Sequence, residues 1–221
     1  MLGEEIKRKV VVKLEEFSPY SPCNEEEAGP LLSGQDSLEE VKPIYSYIEE
    51  TLPQAANEIL LAAPLDKLEA EHVERRVCVH TCDEWKKAAG TICTVSLPSD
   101  FLRLRALRLD TWTQTIKVAL HPATPEADAQ ENEWTMGLFT KPVVVLDNRK
   151  LYCYSVKPGA ECNVKEFRYI PAFSEAEDYS ENIAELIALN CAKKIYEVFQ
   201  NTEGAGMMAN EIKSAMEAIA L

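Results

Sequence analysis

The hydrophobic period of this chain changes twice, and that change constrains the fold more than any other feature. Apolar residues recur at helical spacing at Ile6, Val10, Leu14 and Phe17, and again at Ile44, Ile48, Leu52, Ala55, Ile59 and Ala63. Steps of three and four place side chains on one face of an α-helix. From about residue 75 the period falls to two, the spacing of a strand with one buried face. After Pro171 the helical step returns through Ile183, Ile187, Cys191, Ile195 and Phe199, and then Met208, Ile212, Ala215, Met216 and Ile219. Helices, strands and helices in that order predict an α+β fold. The expected architecture is a helical bundle formed by the N- and C-terminal segments (1–74 and 173–221), with an inserted, mostly antiparallel β domain at 75–172.

Within this frame the first helix is expected over about 3–17, although Val10-Val11-Val12 is β-branched and leaves a strand open there. Pro19, Pro22 and Pro30, with the charge run Glu25-Glu26-Glu27, make 18–37 a loop. Ser37 and Glu40 stand at capping-box spacing before the second helix. Pro53 inside that helix is expected to kink it or to start another, and Pro64 to close it. Strands are expected at 75–82, Thr91–Leu97, Phe101–Leu109, Thr115–Leu120, Pro142–Leu146, Leu151–Val156 and Val164–Ile170. Asp147-Asn148-Arg149-Lys150 is expected as a hairpin turn. In Phe101–Leu109, strict alternation puts Arg103 and Arg105 on one charged outer face with Leu107, and Arg108 on the other. Residues 121–141 form a long polar loop of the kind that is functional or mobile. Gly204 and Gly206 are expected to end the penultimate helix and to leave a flexible joint before the last.

Charge divides the chain at the same places. Residues 1–74 carry 6 basic and 17 acidic side chains, 75–172 carry 14 and 11, and 173–221 carry 3 and 9. The net charge of −14 argues against gripping nucleic acid with the whole surface. No run is long and apolar enough to span a bilayer, and Met1-Leu2-Gly3-Glu4-Glu5 does not read as a secretory signal. The seven cysteines, odd in number and scattered, read as thiols of a reducing compartment rather than a disulfide framework.

Few residues carry chemistry in a specific pattern. Cys78, His80 and Cys82 would share one face of a strand and offer soft ligands to zinc, with Cys93 as the available fourth. Zinc knuckles, however, place their cysteines around a tight turn, and small buried thiols with one satisfied histidine fit the pattern better. No phosphate loop, dinucleotide fingerprint or nucleophile elbow occurs. His72 and His121 lie in polar segments, and Asp100 and Asp110 flank a strand as turn residues. The expectation is therefore no catalytic residue, no cofactor and no metal. Arg103, Arg105 and Trp134 are candidates for a subunit interface. Met208, Ile212, Met216 and Ile219 form an apolar stripe that could dock on a partner, since methionine adapts to a groove.

Several stretches resemble phage head-to-tail adaptor proteins. These are Val41-Lys42-Pro43-Ile44 with Tyr47-Ile48-Glu49-Glu50, Ala55 through Leu60 with Ala63-Pro64, Leu97-Pro98-Ser99-Asp100-Phe101-Leu102-Arg103-Leu104, Trp112, Lys141-Pro142-Val143 and Tyr169-Ile170-Pro171. The resemblance runs in order over roughly 41–200 and is nearest to the portal-attached ring proteins of crAss-like phages, related in design to the tail tubular adaptors of short-tailed phages. Pro53 and the loop at 18–37 depart from that pattern. The resemblance implies a virion structural protein, assembled in the host cytoplasm. About twelve copies would form a ring below the portal, next to other neck or tail ring proteins, with genome DNA passing through the lumen without sequence-specific binding. It implies no membrane, cofactor or catalysis. Another phage tail or baseplate component is the alternative, with a small zinc enzyme built on Cys78, His80 and Cys82 further behind.

Overall fold

The computed structural model describes residues 2–16, 44–69, 75–76, 83–87, 90–132, 134–138, 140–156 and 163–220. The loop at 18–37, the Ser37–Glu40 pair and the Cys78, His80, Cys82 cluster lie outside these residues. The fold is mixed α and β. The chain divides into two compact units, one of Met1–His72 with Phe173–Leu221 and one of Val73–Ala172.

The first unit is helical. Helix α1 (Gly3–Glu16) buries Ile6, Val10 and Leu14 and leaves Val12 exposed, so the β-branched run is helical. Helix α2 (Ile44–Ala62) runs unbroken through Pro53, which sits on its exposed side. Proline there forfeits one backbone hydrogen bond, yet no second helix starts at it. Its opposite face buries Ile48, Leu52, Ala55, Ala56, Ile59 and Leu60. Pro64 does end the helix, and the short α3 (Leu65–Glu69) follows.

Helices α5 (Glu181–Val198) and α6 (Thr202–Ala220) complete the unit, numbered after a single-turn α4 in the β unit. The Ser180 hydroxyl caps α5 by accepting from Ile183 N–H at 3.3 Å. Helix α5 packs against α1, α2 and α6, and so it is buried almost all round, from Ile183 to Tyr196. Burial on every side explains why Asn190 in its centre needs internal partners. Its Nδ2 donates to the Ala55 carbonyl at 2.9 Å and to Glu58 Oε2 at 3.2 Å.

Gly204 and Gly206 belong to the first turns of α6, not to a joint. The break between α5 and α6 falls at Gln200 instead, whose φ is 57°. Gln200 N–H donates to Glu197 O at 3.1 Å and Asn201 N–H to Tyr196 O at 2.9 Å. That pair of bonds is a Schellman helix end, with glutamine in the left-handed position that glycine usually takes. The Asn201 side chain then caps α6 by accepting from Gly204 N–H at 2.9 Å. Gly204 is glycine because a Cβ there would come within 2.9 Å of the Tyr196 ring.

The second unit holds two antiparallel sheets. β1 (Arg75–Arg76), β7 (Val164–Pro171) and β4 (Phe101–Leu109) form one sheet, in the order β1-β7-β4. β2 (Asp83–Lys87), β3 (Gly90–Ser96), β6 (Lys150–Val156) and β5 (Val143–Asp147) form the other, in the order β2-β3-β6-β5. The sheets share a core of Cys93, Val95, Leu104, Leu107, Leu109, Trp112, Val144, Leu151, Cys153, Val156, Phe167 and Tyr169. The four-stranded sheet is also covered on its other face, where Ile92, Val145 and Tyr154 pack with Ala127, Leu120 and Met136. Burial on both faces accounts for the continuous apolar run Val143-Val144-Val145-Leu146.

Two expectations about strands need correcting. Thr115–Leu120 is not a strand. It makes one bridge from Ile116 to Leu107 and one from Leu120 to Val145, with Lys117 and Val118 exposed between them. The expected alternation in β4 fails because the strand bulges. Between Leu104↔Tyr169 and Ala106↔Arg168, β4 advances two residues while β7 advances one. The extra residue is Arg105, and one extra residue exchanges the faces of everything beyond it. Leu104 and Leu107, which alternation separates, therefore both reach the core. The hairpin at Asp147–Lys150 is present, with Asn148 at φ 45° and Arg149 at φ 60°, the backbone of a type I′ turn.

Candidate interaction surfaces

The bulge decides where the two candidate arginines lie. Arg103 is half-buried and Arg105 is only 5% exposed, so this pair is not a charged outer face. The Arg103 guanidinium is pushed below its ordinary pKa, first by burial and then by the charge of Arg105 beside it. Arg105 is thus a buried group of the β unit rather than a surface group for a neighbour. Arg108 turns inward along its own chain and donates from Nε to the Trp112 carbonyl at 3.3 Å.

Trp134 is different: it is 87% exposed. The segment around it, expected to be a long irregular loop, is built. Pro125 opens the one-turn α4 (Pro125–Asp128), and a 3₁₀ turn at Ala129–Glu131 follows. The Gln130 side chain is buried and ties both ends together. Its Nε2 donates to Glu126 O at 2.9 Å, and its Oε1 accepts from Gly137 N–H at 2.8 Å. Between those ties Asn132 makes a turn, with Oδ1 accepting from Trp134 N–H at 3.0 Å and O accepting from Met136 N–H at 2.8 Å. Thr135 Oγ1 donates back to Ala129 O at 2.6 Å. Gly137 must be glycine, since a Cβ would lie 2.7 Å from Ser155 Oγ and 2.9 Å from Lys141 O. Ala127 and Met136 anchor the loop on the outer face of the four-stranded sheet. Its length therefore has a structural reason, while Trp134 stands out at the tip. Leu138 and Val118, in the same unit, are also exposed.

The stripe on the last helix divides. Met208 is fully buried, while Ile212, Met216 and Ile219 are half-buried. The helix packs on α5, so Met208 is internal packing and not a free docking residue. A hollow of about 400 Å³ at the α5–α6 turn is lined by Glu197, Gln200, Asn201, Thr202 and Ala205, with Glu197 its single ionisable side chain.

Other residues singled out by type have structural partners. Asp100 Oδ1 accepts from Tyr169 Oη at 2.9 Å, and Asp110 Oδ2 accepts from Asn163 Nδ2 at 3.3 Å. His121 Nδ1 accepts from Ala123 N–H at 3.2 Å within a turn. Among the described residues no three of His, Cys, Asp and Glu gather as metal ligands would, and no helix is long and apolar enough to cross a membrane. Sequence reasoning missed Gln130 as the anchor of the Trp134 loop. The available signal was a polar side chain amid turn residues, which does not distinguish a buried tie from a solvated one. No protein-family model matches the chain, and no curated protein matches it.

Proposed function

We propose that this chain is a virion structural subunit, a head-to-tail connector of the adaptor type that assembles into a ring below the portal. In this reading the two terminal segments form a helical bundle and the β unit is an insertion into it. About twelve copies surround the passage through which genome DNA moves, and the portal and adjacent neck or tail rings are the axial partners. The residue resemblance over 41–200 supplies the family. Trp134 is the observation that carries the assembly part. A tryptophan held almost wholly in water, on a tip fixed by a buried glutamine, leaves a large apolar surface unused in a lone chain. Preorganised aromatics of this kind are what protein interfaces bury at their centres. The acidic balance suits a conduit, since fixed negative charge repels phosphate and lets a duplex slide.

Native mass spectrometry and negative-stain microscopy of the purified chain, alone and with its portal, test this reading. The expected result is a closed ring of roughly a dozen subunits, and Trp134→Ala should weaken it while leaving the monomer folded. A chain that stays monomeric at high concentration and with the portal present overturns the proposal. Arg105→Glu is not a clean interface probe. It places an acid in a buried site, and its expected effect is loss of fold.

A further inference from the structure

Two cysteines of the β unit stand directly opposite one another. In the four-stranded sheet β3 and β6 are the central pair, and Cys93 is the Cα partner of Cys153 across them. Both belong to the core between the sheets and are fully buried, so their side chains leave the sheet on the same face. Both are reduced thiols, and Cys153 Sγ lies 3.9 Å from the Leu151 carbonyl of its own strand. Directly opposed residues of an antiparallel pair have Cα atoms about 4.5 or 5.5 Å apart, according to the type of pair. Both values fall in the range of about 4.4–6.8 Å that a disulfide requires.

The register is pinned beside the pair. From Thr91↔Val156 to Cys93↔Cys153, β3 advances two residues and β6 three, so β6 carries an extra residue. Ser155, with φ 76°, supplies the left-handed backbone of this bulge. A slip by one residue would separate the two thiols, and the bulge resists such a slip.

We propose that Cys93 and Cys153 are a latent dithiol that hydrogen peroxide closes to a disulfide, locking the centre of the four-stranded sheet. The sulfur of one cysteine attacks peroxide and the O–O bond breaks, giving a sulfenic acid and one water. The sulfur of the other then displaces the hydroxyl from the sulfenic sulfur, the S–S bond forms, and a second water leaves. Two thiols and one peroxide become one disulfide and two waters. Each sulfur is oxidised by one electron, and the two peroxide oxygens are reduced. An oxidant hardly larger than water suits a buried pair better than a bulky disulfide donor. Cys191, in the helical unit, is the internal control. It is as fully buried as the pair, but no second described cysteine lies in its unit, so it should form no cross-link.

The full chain carrying Cys162→Ser is treated with peroxide, quenched, alkylated in denaturant and digested with trypsin without reduction. That substitution is needed because Cys153 and Cys162 share the tryptic peptide 151–165. The expected product is peptide 88–103 joined to peptide 151–165, lighter than the sum by two hydrogens and separated again by dithiothreitol. Closing a loop of about 60 residues should also raise the thermal midpoint of the β unit by roughly 5–15 °C. That rise should be absent in Cys93→Ser or, if this variant does not fold, in Cys93→Ala. Recovery of both cysteines alkylated, or as sulfinic acids without a cross-link, overturns the proposal. So does a joined peptide that forms only when the chain is unfolded before treatment.

Discussion

The two units handle charge to different degrees. In the helical unit lysines are clamped by carboxylates from neighbouring elements. Lys7 Nζ, itself nearly buried, lies 3.0 Å from both Glu4 and Glu175 and 3.8 Å from Glu49. Lys9 and Lys13 converge on Glu185 at 2.8 and 3.3 Å, and Lys194 meets Glu58 at 2.8 Å. The β unit pairs Arg168 with Glu166 at 2.6 Å, sets Arg103 and Arg105 side by side in a bulged strand, and takes its cohesion mainly from a sheet buried on both faces. The helical unit should therefore respond to pH, and the β unit to changes in core packing. All three tryptophans, Trp85, Trp112 and Trp134, lie in the β unit, so fluorescence follows that unit while helical ellipticity follows the other.

The largest effect is expected at Leu107. Under plain alternation it would share the outer face of Arg103, and a lysine there would be harmless. With the bulge at Arg105 it lies in the core with no exposure. Leu107→Lys then buries an unpaired charge and should cost about 4 kcal/mol or more. Val118→Lys, on the exposed segment nearby, should stay within about 0.5 kcal/mol. Urea titrations followed by fluorescence measure both. Equal, small losses would mean that β4 does not bulge.

A core substitution in the other unit comes next. Met208→Ala should cost about 2–4 kcal/mol, read from helical ellipticity, because the side chain is fully buried. Met207→Ala, one residue earlier and exposed, should cost little. If Met208→Ala left stability unchanged, α6 would be loosely held and available to a partner after all.

These two positions show what the sequence made legible. A helix has one register. Once Ile183, Ile187, Cys191 and Ile195 mark a stripe, the buried face follows, and α5 lies where its spacing puts it. A strand's two faces exchange with each inserted residue, and nothing in Phe101–Leu109 announces that Arg105 is the extra one. The same holds at Ser155. The strands β3 to β7 were readable as apolar runs, whereas β2, Asp83–Lys87, reads as a charged stretch and was not. The exposure of Trp134 was readable from the polarity around it. The tie made by Gln130 was not, because it spans seven residues to Gly137 through a buried amide.

Acid should separate the units by a smaller margin. Burial alone would raise the carboxyls of Glu58 and Glu185. Hydrogen bonds outweigh it, from Lys194 and Asn190 in the first case and from Lys9 and Lys13 in the second, so both titrate below the ordinary carboxylate value. A depressed carboxyl supplies stability that is complete above its unfolded pKa and is lost as pH falls through the folded one. Lys7 acts at the other end. The hydrogen bond to Glu175 raises it despite burial, so its contribution is complete below the ordinary lysine value and is lost as pH rises through the folded one. Helical ellipticity should therefore decline before fluorescence both on acidification and in strong base. Coincident loss of the two signals would remove the distinction between the units.

Each unit also holds a residue other than glycine in the left-handed region, and these give the smallest effects. In the β unit, Ser155 combines φ 76° with a buried hydroxyl that finds no partner among the described residues. Ser155→Gly removes both penalties at the loss of a few atomic contacts, and should stabilise the β unit by about 1 kcal/mol. Fluorescence-detected urea titration reads the change. A loss of stability would show that the hydroxyl is needed.

In the helical unit, Gln200 carries φ 57° at the helix end, but its side chain is exposed, its own N–H is bonded to Glu197 O, and the next N–H, of Asn201, is bonded to Tyr196 O. Only the Cβ penalty is relieved by Gln200→Gly, and glycine's greater freedom in the unfolded chain takes some of it back. The expected gain is about 0.5 kcal/mol in ellipticity-detected unfolding, below that at Ser155 because no buried polar group is released. Four residues on, the same substitution logic runs in reverse. Gly204→Ala drives a methyl into the Tyr196 ring, whose hydroxyl donates to the Leu14 carbonyl at 3.0 Å and so cannot swing aside without breaking a tie to α1. If Gln200→Gly destabilised the helical unit while Gly204→Ala did not, the turn between α5 and α6 would lie elsewhere, and Gly204-Ala205-Gly206 would regain its standing as a joint.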